Sequence, residues 1–264
     1  MSTENLKTPM EREAAAARLL ERAAAGETVE LTVLSGLERC VLGGPSQALF
    51  EQTVMNAWNE FGEKNRAKAM DLTLDGLRER GLLLDDAPEG PGVRSWSLSP
   101  ELGLVQAARE RPSYVVATDV LNKQVRCLQF YAVGDLEQPV RAIVVEQPVA
   151  LPQSKSYKSA QKLGPLGWMT RYLLMSEDSA VRILTDVALT PRQDEGGAYP
   201  YDIRRFKHQD GKPATQAGLS VIGAGDTAHV RLFRADPQTP DDVTVLTADE
   251  LRTLLGRLFA TGAW

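Results

Sequence analysis

The sequence predicts an α+β fold with two quasi-repeated halves, and three observations lead to this prediction. A meander of three short segments rich in β-forming residues occurs twice, at about residues 113–147 and 201–235. A helical run and a break marked by proline or glycine precede each meander. The chain has 264 residues, of which 43% are hydrophobic, so a single domain of two halves has ample material for a core.

The N-terminal region is predicted to contain a helix, a strand and a long second helix. Residues 11–25 are rich in alanine and are followed by Gly26, as expected for a helix with a glycine at its C-terminal end. Residues 29–34 alternate between apolar and polar side chains, which indicates a half-buried strand. Ser46 is a favourable N-cap for a helix over residues 46–61, whose apolar and aromatic face we assign to the core.

The segment that follows has two interpretations. Within residues 66–84, the apolar spacing predicts an amphipathic helix that runs into Arg80-Gly81-Leu82-Leu83-Leu84, followed by a turn over 85–92 and a strand over 93–98. Winged-helix modules, which bind DNA, have the same order of elements. In the predicted wing, however, carboxylates outnumber cations (Asp85, Asp86, Glu89 and Arg94), and acidic groups repel a phosphate backbone. We therefore favour a structural unit over a DNA-binding one.

The two meanders supply the strands of the predicted fold. These strands are predicted at residues 114–119, 125–133 and 140–146, and at residues 201–207, 215–222 and 229–235. The strand over residues 125–133 has apolar side chains on both faces, so we expect it to be a central strand that is covered on both sides. Hairpin turns are predicted at Asp210-Gly211 and at residues 223–226.

Helices and a linker complete the prediction. Residues 166–174 and 178–187 are predicted to be helical, and a capping box of Thr247 and Glu250 predicts a final amphipathic helix. The chain divides into an N-terminal helical extension, a first α+β half, a polar linker and a second α+β half (residues 1–28, 29–150, 151–165 and 166–264). We expect these parts to form one domain overall.

No pattern in the sequence predicts catalysis or a cofactor. The two histidines, His208 and His229, have no cysteine at the spacing of metal ligands, so no metal site is expected. Gly223-Ala224-Gly225 lacks the third glycine of a dinucleotide-binding turn. Cys40 and Cys127 are expected to be reduced thiols. We predict that the protein is not an enzyme, has no catalytic or metal-binding residues and requires no cofactor.

Composition narrows the classes of partner and the compartment. The formal charge of −5 and the pI near 5.3 argue against broad affinity for nucleic acid or for an anionic membrane. No apolar stretch approaches the roughly 20 residues that a membrane span requires. Residues 1–10 are polar and lack the apolar core of a secretion signal, so a cytoplasmic location is expected. No small-molecule substrate is indicated.

Three stretches of the chain resemble the EspG family, the cytoplasmic chaperones of type VII secretion in actinobacteria. The first is Arg80-Gly81-Leu82 followed by Leu98-Ser99-Pro100, and the second is Arg111-Pro112 before the first meander. The third is the C-terminal part (Asp210-Gly211, Gly225-Asp226-Thr227, Val243 to Val245 and the final leucine-rich helix). The resemblance implies two sheets and helical bundles around a pseudo-twofold axis. It also implies a helical secreted client of the PE/PPE kind, whose apolar tip the chaperone covers.

Two predicted loops are the candidates for contact with such a client. Binding residues tend to lie on loops that a rigid scaffold holds in place. We select the loop over residues 134–138 and the loop over residues 190–200, which is rich in glycine, proline and charged residues. The candidate partner-binding residues are Asp135, Leu136, Glu137, Arg192, Asp194, Glu195 and Tyr199.

Besides an enzyme without a recognisable motif, two other classes of protein stay open at this point. One is a winged-helix transcriptional regulator with a C-terminal sensing domain. The other is an acidic immunity-type inhibitor protein, because such inhibitors are also small, acidic and poor in motifs.

Overall fold

The structure is a computed structural model that describes residues 8–44, 47, 49–85, 96–119, 127–133, 142–149, 162–194, 197–209, 212–233 and 243–262. Its helices are α1 (Pro9–Ala24), α2 (Gly36–Val41), α3 (Gln52–Glu60), α4 (Glu63–Glu79), α5 (Pro100–Glu110), α6 (Glu177–Leu189) and α7 (Ala248–Ala260). The fold combines these helices with a large antiparallel sheet, so the predicted α+β class is confirmed.

The sheet has nine strands, all of them antiparallel to their neighbours. They are β1 (Val29–Ser35), β4 (Val115–Thr118), β5 (Gln129–Val133), β6 (Ala142–Val149), β7 (Met169–Ser176), β10 (Tyr201–Gln209), β11 (Lys212–Gly223), β12 (Thr227–Phe233) and β13 (Thr244–Thr247). Their order in the sheet is β1-β7-β6-β5-β4-β10-β11-β12-β13. Two small ribbons lie outside it, β2 (Leu83–Asp85) with β3 (Trp96–Leu98) and β8 (Gln193–Asp194) with β9 (Gly197–Ala198).

The first strands of the two meanders pair with each other and join the halves into one sheet. Residues 203–206 of β10 pair with residues 115–118 of β4. The resemblance implied two sheets, and this part of the expectation is wrong. An unpaired strand edge leaves backbone donors and acceptors without partners, and pairing β4 with β10 removes two such edges at once. The relation of the halves by a pseudo-twofold axis stays a prediction.

Each half of the sheet is a meander whose last strand leads directly into a helix. Ser176 ends β7 and caps α6 by accepting a hydrogen bond from the backbone of Ser179. Thr247 ends β13 and caps α7 in the same way, and Glu250 completes the predicted capping box. A hydroxyl at this position satisfies a backbone N–H group that the first helical turn leaves unpaired.

Helices cover the two faces of the sheet unequally. Helices α6 and α7 pack on one face, where apolar residues from both halves form a core (among them Phe130, Ile143, Leu219, Val230 and Phe259). Helices α1 and α5 pack on the opposite face, over the half formed by β1, β7, β6 and β5. Strand β5 lies between β6 and β4 and is buried on both sides, as its apolar faces predict.

Two helix predictions are wrong. Residues 169–176 form strand β7 rather than a helix, because they pair with β1 on one side and β6 on the other. Their aromatic and leucine side chains suit a buried strand as well as a helix, and pairing decides between the two. The helix predicted over residues 46–61 covers only Gln52–Glu60, and Glu51 rather than Ser46 is at its N-cap.

Candidate protein-binding surface

One face of strands β10–β13 has no helix packed on it among the residues that the structure describes. Successive side chains of a strand point to opposite faces, so alternate residues of β11 and β12 lie on each face. Leu219, Val221 and Val230 point toward α6 and α7 and are buried. The residues between them point away from both helices. We call the face that they form the open face.

The strand register shows which residues of the open face are neighbours. The first row across the strands contains Val245, His229 and Ile222. The second contains Arg231, Ser220 and Asp202, and the third contains Phe233, Gly218 and Arg204. Directly paired residues have Cβ atoms about 5 Å apart, so each row forms a continuous strip of surface.

The open face combines apolar groups with positive charge. His229, Arg231 and Val245 are exposed, and Ile222 and Phe233 are half-buried. Val245, with 56% of its surface accessible, is one of the most exposed large apolar residues of the described chain. The Arg204 guanidinium lies 5.6 Å from the centre of the Phe233 ring and 3.4 Å from Asp202. A surface of this composition can receive both an apolar side chain and a carboxylate.

The third row continues beyond Arg204 into the other half of the sheet, where it becomes buried. It passes through Ala117, Gln129, Glu146, Tyr172 and Thr32. These five residues are all buried. The same face is therefore interior in the first half, and in the second half it becomes partly accessible at Arg204 and Phe233. The outer helical layer ends near strand β4.

A cluster of buried charges lies on the covered part of this face. Arg39 from α2 and Arg109 from α5 are both almost completely inaccessible. Arg39 Nη1 donates to Glu146 Oε1 at 2.9 Å, and Arg109 Nε lies 3.2 Å from Glu146 Oε2. Arg39 also pairs with Glu51, and Tyr172 Oη donates to Glu146 Oε2 at 3.2 Å. Two guanidinium groups are thus balanced by two carboxylates.

Electrostatics fix the charge states of this cluster. Burial lowers the pKa of Arg39, but the carboxylates of Glu146 and Glu51 outweigh that effect, so its pKa lies above the ordinary value. Burial raises the pKa of Tyr131 and of Tyr172, so both phenols are protonated at neutral pH. Phe50 contacts both guanidinium groups, with its ring centre 5.5 Å from Arg39 and 5.3 Å from Arg109. The cluster ties α2, α5 and the segment before α3 to the sheet.

The two arginines and Glu146 were not predicted from the sequence as a cluster. The sequence holds a signal for Glu146 alone, because this carboxylate directly follows the apolar buried run of residues 142–145. A charge in such a position is rarely left without an opposite charge. The open face also has a signal, the regular alternation of buried and accessible residues along β12.

The predicted binding residue Arg192 is held by contacts within the chain. Its Nη1 atom lies 2.7 Å from Asp119 Oδ2. Its guanidinium stacks on the Tyr201 ring at 3.3 Å and lies 5.3 Å from the centre of the Tyr199 ring. These contacts fasten the β8–β9 ribbon to the ends of β4 and β10. Arg192 therefore has a structural role, to which the half-buried Tyr199 contributes through its contact with the guanidinium.

The other candidate residues are placed only in part. Asp194 is in the short strand β8, paired with Gly197, and its side chain lies outside what the structure describes. Asp135, Leu136, Glu137 and Glu195 lie outside the described residues, as does most of the predicted linker. The structure brings Arg192 and Tyr199 together and leaves the relation between the two loops untested.

In the region that has the winged-helix interpretation, two arginines form ion pairs and hydrogen bonds within the chain. Arg80 donates to Glu38 Oε1 at 2.5 Å and to the Val33 carbonyl oxygen at 2.6 Å. Arg78 pairs with Asp85 at 3.1 Å and lies 5.5 Å from the centre of the Trp96 ring. Because both cations are paired with acceptors of the same chain, their contacts support the structural interpretation of α4, β2 and β3.

Three further features bear on function: the arrangement of possible metal ligands, the state of the cysteines and the length of the apolar helices. Among the described residues, no group of three or more histidine, cysteine, aspartate or glutamate side chains is placed to hold a metal ion. Cys40 and Cys127 are not joined by a disulfide. None of the helices described in the structure is long and apolar enough to cross a membrane. No protein-family model, no curated protein and no solved structure matches the chain.

Proposed function

We propose that this protein is a non-catalytic chaperone or scaffold of the cytosol that holds a helical client protein on its open face. The observation that carries the proposal is that one face of the sheet is buried under helices in the first half, whereas in the second half no described helix covers it and His229, Arg231 and Val245 are exposed. The resemblance to the EspG family suggests the class of client, a secreted helical protein of the PE/PPE kind.

The shape of the open face favours a helix as its occupant. Four antiparallel strands spaced about 4.8 Å apart form a platform about 15–20 Å wide, and a helix with its side chains is about 10 Å across. In the other half of the molecule, α1 and α5 occupy the same face of the same sheet. A client helix on the open face would continue that layer with the same kind of packing.

The composition of the open face defines the side chains that the client helix should present. Ile222, Val245 and Phe233 favour an apolar stripe. Arg231 is exposed on the same face and supplies a positive charge at neutral pH. We expect an amphipathic helix with carboxylates beside its apolar stripe. A mixed surface of this kind suits a complex that forms and later releases its client.

Reversal of the charge at Arg231 tests this proposal. Tagged wild-type protein should recover a helical client from its native host, as identified by mass spectrometry, and Arg231→Glu should reduce recovery by about tenfold because it repels the client's carboxylates. Arg252→Glu is the matched control, since Arg252 is exposed on α7 and away from the open face. Equal recovery with wild type and both variants would exclude the open face as the binding site.

A photo-cross-linking amino acid at position 229 gives an independent readout. His229 is exposed at the middle of the first row, so the probe should capture the protein that co-purifies. The cross-linked peptide should lie in a helical segment of the client. A probe at the exposed Arg18 of α1 should capture little of it. Capture of nucleic acid, or of the client only from position 18, would overturn the proposal.

A further inference from the structure

Strand β13 is the last strand of the sheet and has no partner on its outer side among the described residues. Its neighbourhood is apolar and accessible, since Val243 and Val245 keep 53% and 56% of their surface exposed. An exposed strand edge with apolar side chains favours pairing with another strand. Few charges protect this edge, because β13 consists of Thr244, Val245, Leu246 and Thr247.

A groove runs beside this edge along the outer side of α7. Its lining consists of Leu246, Asp249, Glu250, Thr253, Leu254 and Arg257. Its volume is about 340 Å³ and its apolar floor comes from the two leucines. The five residues that α7 contributes follow helical spacing and form one stripe, at whose inner border Leu254, like Leu246 of β13, also packs against the core.

Two of the three charged residues of this stripe, Asp249 and Arg257, lie symmetrically about Thr253. The third, Glu250, is hydrogen-bonded to Thr247 in the cap of α7. Asp249 lies four residues before Thr253, and Arg257 lies four residues after it. Two antiparallel copies of α7 that cross at Thr253 would therefore place Asp249 of each copy opposite Arg257 of the other. In a twofold contact each residue pair occurs twice, so this arrangement supplies two ion pairs. The stripe is therefore complementary to itself in charge at the positions of Asp249 and Arg257.

We propose that a second copy of this chain docks on the β13–α7 edge and forms a twofold-symmetric dimer. In this dimer β13 pairs antiparallel with its counterpart, so that the backbone groups of both free edges are satisfied. The two α7 helices lie side by side on one face, with their leucines between them. On the opposite face, the open faces of the two copies join into one larger platform.

Charge reversal with rescue tests the contact directly. Light scattering during gel filtration should give twice the 28.9 kDa mass of the chain for the wild type. Asp249→Arg and Arg257→Glu should each weaken dimerisation by about tenfold or more, because each places like charges together at two symmetric positions. The double variant Asp249→Arg/Arg257→Glu should restore the dimer, since it exchanges the two charges and re-forms both ion pairs.

The controls separate this contact from general effects. Arg252→Glu makes the same charge change as Arg257→Glu on the same helix, but Arg252 does not line the groove and the dimer should be unaffected. Circular dichroism of each variant shows whether it is folded. A wild-type protein that is monomeric at all concentrations would overturn the proposal. A dimer that neither single variant weakens, or that the double variant fails to restore, would also overturn it.

Discussion

At the scale of single residues, Glu146 balances the charges inside the molecule. It contacts both buried guanidinium groups and accepts a hydrogen bond from Tyr172. A buried ion pair adds little stability compared with apolar residues of the same size, but removal of one partner leaves a charge in a medium that does not solvate it. The two arginines therefore depend on Glu146 more than the geometry of any one contact suggests.

We predict that Glu146→Gln lowers the free energy of unfolding by about 3–5 kcal/mol. The variant keeps the size of the side chain and removes the charge, which leaves Glu51 as the main counter-charge of Arg39. Denaturant titration gives the value. Glu30→Gln is the control, because Glu30 forms an exposed ion pair with Arg171 and its loss should cost less than about 1 kcal/mol. Equal small losses in both variants would contradict the assigned role.

At the scale of elements, the close packing of α6 against β11 requires a glycine at position 223. A Cβ atom at Gly223 would lie 2.4 Å from the carbonyl oxygen of Leu189 and 2.5 Å from that of Ala188. These atoms belong to the backbone at the end of α6, so they cannot turn away as a side chain can. Two residues further on, the Gly225 N–H group donates to the same Leu189 carbonyl oxygen at 3.1 Å.

We predict that Gly223→Ala destabilises the protein by about 1–3 kcal/mol, because the end of α6 must shift to admit the methyl group. Gly256→Ala should have the opposite sign. Gly256 is inside α7, and a Cβ atom there meets nothing within 4 Å. Alanine in a helix interior is more favourable than glycine by about 0.5–1 kcal/mol. Thermal or denaturant unfolding of the two variants provides the comparison, and a loss of stability in both would contradict the explanation.

The elements also show how far the sequence alone predicts the fold. Both meanders, the first and last helices and the capping box at Thr247 follow from local patterns and are confirmed. Strand β7 was missed because its register with β1 joins positions more than 130 residues apart, and no local pattern records such pairing. The open face was missed for the same reason. Alternation along β12 indicates one accessible face, but only the strand order shows that no helix of the described chain returns to cover it.

At the scale of the whole molecule, the two halves share one sheet and one core. The pairing of β4 with β10 joins the meanders through backbone hydrogen bonds. On the face under α6 and α7, Phe259 from the C-terminal helix packs edge-on against Phe130 and Tyr114 of the first half, at 5.6 Å and 6.2 Å between ring centres. Side chains of one half thus complete the core of the other, and neither half should be stable when the other unfolds.

We therefore predict one cooperative unfolding transition, which Phe259→Ala shifts without splitting. Truncation of this fully buried ring should cost about 3–5 kcal/mol, and the loss should appear equally in probes placed in either half. Phe233→Ala removes the same atoms from the half-buried end of β12 and should cost less than about 2 kcal/mol. Calorimetry and hydrogen exchange measure both effects. Two separate transitions, or protection lost only in the C-terminal half, would show that the halves fold independently, and a client on the open face would then stabilise only the half that binds it.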